Sequence, residues 1–83
     1  MNRRGHVERT TTETQVDVNL SLDGEGNATL HTGVPFLEHM LDLFAKHGKF
    51  DLAIRSMGDV HIDDHHTVED TAICIGRAID QAL

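Results

Sequence analysis

Thr14-Gln15-Val16-Asp17-Val18-Asn19-Leu20-Ser21-Leu22-Asp23 alternates without a break: Val16, Val18, Leu20 and Leu22 are apolar, and the residues between them are polar. Successive side chains of a strand point to opposite faces, so this period of two specifies a strand with one buried face. A one-sided strand belongs to a sheet that needs a covering layer, and the rest of the chain must supply it.

Downstream, Asp23-Gly24-Glu25-Gly26-Asn27 is a run of turn formers that suits a hairpin. Ala28, Leu30 and Thr32 continue the alternation as the return strand. Upstream, His6 to Thr12 is Thr-rich and less apolar, and reads as another, more exposed strand. The period changes after Gly33. Val34, Phe36, Leu37, Met40, Leu41, Leu43 and Phe44 follow helical spacing, Pro35 is acceptable in a first turn, and Lys46-His47-Gly48 supplies a basic end and a glycine stop. Phe50, Leu52 and Ile54 alternate again as a strand punctuated by Gly58-Asp59, and Val60 and Ile62 form a short extended lead into Asp63-Asp64.

His65 to Leu83 reads as the last helix. Asp63 or Asp64 can cap it, Glu69 and Asp70 complement the positive end of its dipole, and Val68, Ala72, Ile75, Ile79 and Leu83 make its core stripe. The expected architecture is α+β: a four-stranded, mostly antiparallel sheet with two helices packed on one face, in the order βββαβα. Val34, Leu43, Ile73 and Cys74 widen the apolar coverage of the helices beyond what one sheet needs. The helical layer is therefore expected to meet another apolar layer, from a second domain or another copy.

Eighty-three residues allow one small domain, and a chain of this size usually needs a staple, a metal or a partner. A disulfide is excluded, because Cys74 is the only cysteine; inside an apolar helix it reads as a small buried hydrophobe in a reducing compartment. The formal charge of −7 and the lack of a basic stripe argue against nucleic acid as a partner. Arg3 and Arg4 precede no apolar core, so no signal peptide is read. No apolar stretch is long enough to span a membrane. The cytoplasm is the expected location.

Seven histidines stand out, and histidine is the commonest metal ligand. In His65-His66-Thr67-Val68-Glu69, at about 3.6 residues per turn, Glu69 lies one turn from both histidines. Adjacent histidines diverge by about 100° on a helix, so two ions, or a site shared with another chain, fit better than one ion taking both. His39 sits on the first helix with Pro35 and Leu43 as four-residue neighbours, neither of which can satisfy an imidazole, so something else must. Glu38 reads as solvent-facing or as a support to the site, and His47 as a helix end whose imidazolium would favour the dipole. His6, His31 and His61 carry no spacing signal. Imidazole and carboxylate donors without thiolate fit Mn, Fe, Co, Ni or Zn alike. His-Glu-x-x-His, a glycine-rich phosphate loop and a Ser-His-Asp arrangement are all absent.

Arg9-x-Thr11-x-Glu13-Thr14, Phe36-Leu37-Glu38-His39-Met40-Leu41, Lys46-His47-Gly48 and Gly58-Asp59-x-His61-Ile62-Asp63-Asp64-His65-His66-Thr67-Val68-Glu69-Asp70 together resemble the signature stretches of the imidazoleglycerol-phosphate dehydratases. The resemblance runs from about His6 to the last residue, with Glu38 standing where that family usually has Asp. It implies a lyase of histidine biosynthesis that removes water from imidazoleglycerol phosphate to give imidazole-acetol phosphate, metal-assisted through an imidazolate. It implies manganese, two ions per complete site, with His39, His65, His66 and Glu69 as the ligands within this chain. It also implies substrate contacts from Glu13, His39, His47, His65 and Glu69, with Glu13 as the catalytic acid–base carboxylate.

Members of that family resemble two copies of one half-domain of the ribosomal protein S5 domain 2-like kind. Residues 1–83 would be the first copy, lacking the second copy's ligands and the basic residues that grip the substrate phosphate. A homo-oligomer, or the second half-domain, is the partner implied. The alternative is an incomplete, non-catalytic half-domain that binds metal and self-associates.

Overall fold

The computed structural model describes residues 3–12, 14–58 and 65–83, with only the backbone described for Gly58, His65 and His66. The central alternation forms β2 (Thr14–Ser21), which buries Thr14, Val16, Val18 and Leu20 on one face. The first strand, β1 (Arg4–Thr10), pairs with it antiparallel, Val7 opposite Val18. On its other side lies β4 (Asp51–Gly58), also antiparallel, with Ile54 opposite Val18 and Leu52 opposite Leu20. The short β3 (Ala28–His31) is the far edge and runs parallel to β4, Leu30 opposite Ile54. The sheet order is β1-β2-β4-β3.

The hairpin expected between β2 and β3 is therefore not formed, because the long edge of β2 is taken by β4. Residues 23–27 instead cross the end of β4: the Glu25 and Asn27 amides donate to Asp51 Oδ1 at 3.0 and 3.1 Å, and Gly24 N–H donates to the Lys49 carbonyl at 3.1 Å. Those amides hold the Asp51 carboxyl below its usual range. Strands β3 and β4 are then joined by α1 (Pro35–Gly48), and a helical crossover is what parallel pairing requires.

Pro35 does occupy the first turn of α1, but the helix runs through Gly48 and ends on Lys49, which adopts the left-handed conformation at φ 56°. Phe50 N–H donates to the Ala45 carbonyl at 2.9 Å and Lys49 N–H to the Lys46 carbonyl at 3.4 Å, the bonding pattern of a Schellman motif. The glycine is spent one residue earlier than expected. A Cβ on Gly48 would lie 2.3 Å from the Phe50 ring, which folds back under the helix end and tilts against Phe44 with centroids 5.0 Å apart.

The second helix, α2 (His65–Ala82), lies on the same sheet face over β1, β2 and β4, while α1 covers β3. Its buried stripe is Thr67, Thr71, Cys74, Ala78 and Ala82, about one residue out of phase with the stripe expected from Val68, Ala72, Ile75, Ile79 and Leu83. Ile75 and Ile79 pack at its flank; Val68, Ala72 and Leu83 are exposed. Small residues face the sheet because the helix approaches it closely. A Cβ on Gly5 would lie 2.0 Å from the Ala78 carbonyl oxygen.

The core is Val7, Val16, Val18, Leu20, Leu52 and Ile54 from the sheet, Leu41 and Ala45 from α1, and Cys74 and Ala78 from α2. Burial pushes the Cys74 thiol up, as for a small core hydrophobe. Val34 is buried with Cys74 in the interior, so neither contributes to an outer apolar surface. That surface exists, but is made by Phe36, Met40, Leu43 and Phe44 on α1, Val68 on α2 and Leu83 just beyond it, with Phe36 74% and Leu83 80% exposed. Among the described residues no helix is long and apolar enough to cross a membrane.

Candidate metal centre

His65, His66 and Glu69 all fall within the first two turns of α2, so the spacing argument has the helix it needs. Glu69 is exposed there, between the buried Thr67 and Thr71 positions that face the sheet. The side chains of His65 and His66 lie outside the described residues, as do Glu13, His61, the extended lead at Val60 and Ile62, and the capping candidates Asp63 and Asp64. His39 is exposed on α1, on the side of the helix away from Leu41 and Ala45. Water can satisfy it, supplying the partner that Pro35 and Leu43 do not. His47 is exposed in the last turn of α1, where a basic group suits the dipole. The described donors His39 and Glu69 thus share the solvent side of the helical layer, on two different helices, among the exposed apolar residues Phe36, Met40, Leu43 and Val68.

Asp70 does not serve the dipole as expected. Its carboxylate, only 13% exposed, turns down toward the sheet. It accepts a hydrogen bond from Thr14 Oγ1 and faces Arg9 Nε at 3.6 Å. Thr14 is fixed in turn: its amide donates to Thr11 Oγ1 at 3.0 Å, and the Thr11 amide donates to the Thr14 carbonyl at 2.8 Å. One residue further along the helix, Thr71 Oγ1 and Ser56 Oγ are hydrogen-bonded at 2.8 Å, buried between helix and sheet. Arg9 Nε and Thr67 Oγ1 are buried without a hydrogen-bond partner among the described residues. The buried underside of this helix end is thus polar, while the rest of the helix–sheet contact is apolar apart from one exposed hydrogen bond, from His6 N–H to Gln81 Oε1 at 2.9 Å. Sequence reading missed the seat, because nothing at the level of spacing tells Asp70 from Glu69.

Of the two expectations for Glu38, the solvent-facing one does not describe it, because it is half-buried. Rather than facing solvent, its Oε2 accepts hydrogen bonds from Thr32 N–H at 3.0 Å, Thr32 Oγ1 at 2.9 Å and Gly33 N–H at 3.2 Å. Those donors, the Thr32 amide foremost, hold its carboxyl below the ordinary 4.5. It ties the β3–α1 junction together at the start of the helix that carries His39. A capping-box search looks three residues on from a Ser or Thr; the pair here is six apart and escapes it.

The open face of the sheet carries a separate polar set. His6 Nε2 contacts Asp17 Oδ1 at 2.7 Å and Glu8 Oε1 at 3.5 Å, and among the described residues these are the three potential ligand groups whose donor atoms converge. None belongs to the expected ligand set, and the helical layer is on the other side of the sheet. A shallow groove beside them, lined by Asp17, Arg55 and Met57, is likewise on the face away from the helices.

Comparison with known proteins decides the family. The family described as Imidazoleglycerol-phosphate dehydratase matches residues 32–83. An "Imidazoleglycerol-phosphate dehydratase" of Geobacillus kaustophilus is 65% identical over all 83 residues, which cover 43% of that protein. The chain belongs to the imidazoleglycerol-phosphate dehydratase family. One of the same name from Chloroflexus aggregans is 59% identical over 81 residues, or 98% of this chain and 40% of that protein, and one from Ralstonia pickettii is 58% identical over the whole chain and 42% of that protein. The chain spans less than half the length of the curated relatives it matches.

Proposed function

We propose that this chain is one half-domain of a cytoplasmic hydro-lyase that dehydrates imidazoleglycerol phosphate to imidazole-acetol phosphate in histidine biosynthesis. The observation that carries the reading is similarity along the entire chain, at 65% identity, to a protein named for that dehydration. The reaction removes a proton from one carbon and hydroxide from its neighbour, and the enol so formed becomes the ketone. Glu13 is the carboxylate we assign to proton transfer, with His39, His47, His65 and Glu69 as further substrate contacts.

The donor chemistry suits a divalent cation. His39 and Glu69 are both accessible on the outer side of the helices, and His65 and His66 belong to the same helix end as Glu69. Imidazole and carboxylate together suit Mn²⁺ among other first-row ions. We assign His39, His65, His66 and Glu69 as the groups that would hold manganese, two ions to a complete site. When bound, the metal supplies Lewis-acid stabilisation of negative charge on the imidazole ring.

The exposed apolar residues around these donors support a second proposal about the same face: a second half-domain covers it, helix layer to helix layer, and completes the site. The same face favours an alternative reading, a half-domain that binds metal and self-associates without turnover. Dehydratase assays with Mn²⁺, run alongside Mn²⁺ binding by electron paramagnetic resonance, separate them. Turnover that Glu13→Gln abolishes supports the enzyme. Mn²⁺ uptake lost in Glu69→Gln, with no turnover in the parent chain, supports the alternative. A parent chain that takes up no Mn²⁺ removes the metal assignment.

A further inference from the structure

The polar seat beneath α2 lies at the end of the helix that carries His65, His66 and Glu69. Apolar contacts are non-directional and allow a helix to slide or roll on a sheet. Hydrogen bonds to a buried carboxylate allow neither, because they weaken steeply with misalignment. Along the rest of its buried face α2 meets the sheet through Cys74, Ala78 and Ala82, small groups that set how close it comes but not its rotation, and its one directional contact there is exposed, from His6 N–H to Gln81 Oε1 at 2.9 Å. At the other end Asp70 faces two strands at once: Thr14, the first residue of β2, donates a hydrogen bond to it, and Arg9 near the end of β1 adds an ion pair at 3.6 Å without a hydrogen bond. Asp70 adjoins Glu69, and Thr14 adjoins Glu13.

We infer that Asp70, held by Thr14 and Arg9, is a positioning residue that fixes the rotation and axial register of the first two turns of α2 against the β1–β2 junction. Its consequence for metal binding rests on the function proposed above; the register lock itself does not. In that setting one contact sets two things together: where the ligands of α2 point, and how the chain next to Glu13 sits relative to them. Burying a charged and hydroxylic seat where apolar groups would pack equally well is no gain in stability. Its effect is on orientation.

The test uses the 83-residue chain with Thr14→Val, which keeps the volume and deletes the hydroxyl, and Thr14→Ser, which restores it. Amide hydrogen exchange in metal-free protein is read at residues 69–72 and, for comparison, at 76–82. The account expects exchange about tenfold faster at 69–72 in Thr14→Val, little change at 76–82, and recovery in Thr14→Ser. Mn²⁺ affinity should fall about tenfold in Thr14→Val and recover in Thr14→Ser, as for groups that orient ligands. Unchanged exchange at 69–72, an equal rise along the whole helix, or no protection there in the parent chain would each overturn the inference. Local loosening in a parent chain that binds no Mn²⁺ would keep the lock and reject the metal assignment instead.

Discussion

The two helices lie on the same sheet face and are attached to it in opposite ways. Helix α2 is sunk into the sheet: Gly5 and Ala78 let the backbones touch, and Asp70 and Thr71 are hydrogen-bonded to Thr14 and Ser56. Helix α1 rests on the edge strand β3 through Leu41 and Ala45 and turns Phe36, Met40, Leu43 and Phe44 outward. Its fixings are at its ends, Glu38 at the start and the Lys49–Phe50 cap at the finish. One helix is therefore specified by what lies beneath it, whereas the other leaves its largest side chains exposed. Both carry an expected ligand, so the site proposed across them would have one half fixed from beneath and one half exposed.

The sharpest way to break this contrast is at the close approach. Gly5→Ala places a methyl against the Ala78 carbonyl, and should destabilise the fold by about 3 kcal/mol, read as a lowered denaturation midpoint. A loss under about 0.5 kcal/mol would mean α2 is not seated as described.

Glu38→Gln should cost about 1–2 kcal/mol through weaker charge-assisted hydrogen bonds to Thr32 and Gly33. Because the folded carboxyl lies below its unfolded value, this contribution is complete above that unfolded value and disappears as pH falls through the folded one. The parent chain should therefore lose stability on acidification through that window, and the Gln variant should lose less.

Lys49→Gly relieves a left-handed lysine, and should stabilise by about 0.5–1 kcal/mol, raising the midpoint of unfolding. Smallest on stability should be Met40→Asp, within about 0.5 kcal/mol for an exposed side chain. Its effect belongs instead to association.

The same contrast explains what could be read from sequence. Where one face meets the helices and the other meets water, as in β2, alternation points directly to the buried set Val16, Val18 and Leu20. In α2 the phase was misread, because hydrophobicity points to Val68 and Leu83, whereas close packing and hydrogen bonding select Thr67, Thr71 and Ala78. Size and polarity at a helix–sheet contact depend on the partner strand, which a periodicity does not contain. The hairpin failed for a related reason: turn formers at 23–27 mark a change of direction and not the strand reached next. For the site, helical spacing united His65, His66 and Glu69, and motif resemblance added His39 and Glu13. Long-range partners such as Thr32 for Glu38, or Thr14 for Asp70, had no local signature.

The measurement that tests the central claim most directly is the light-scattering mass of the chain, with and without Mn²⁺, and of Met40→Asp under the same conditions. The claim is that the outward helix face is built to be covered by a second half-domain. It predicts a dimer or larger multiple of 9.2 kDa, promoted by Mn²⁺ and dispersed by Met40→Asp. A chain that stays at 9.2 kDa at every concentration and metal loading, folded and soluble, would contradict it.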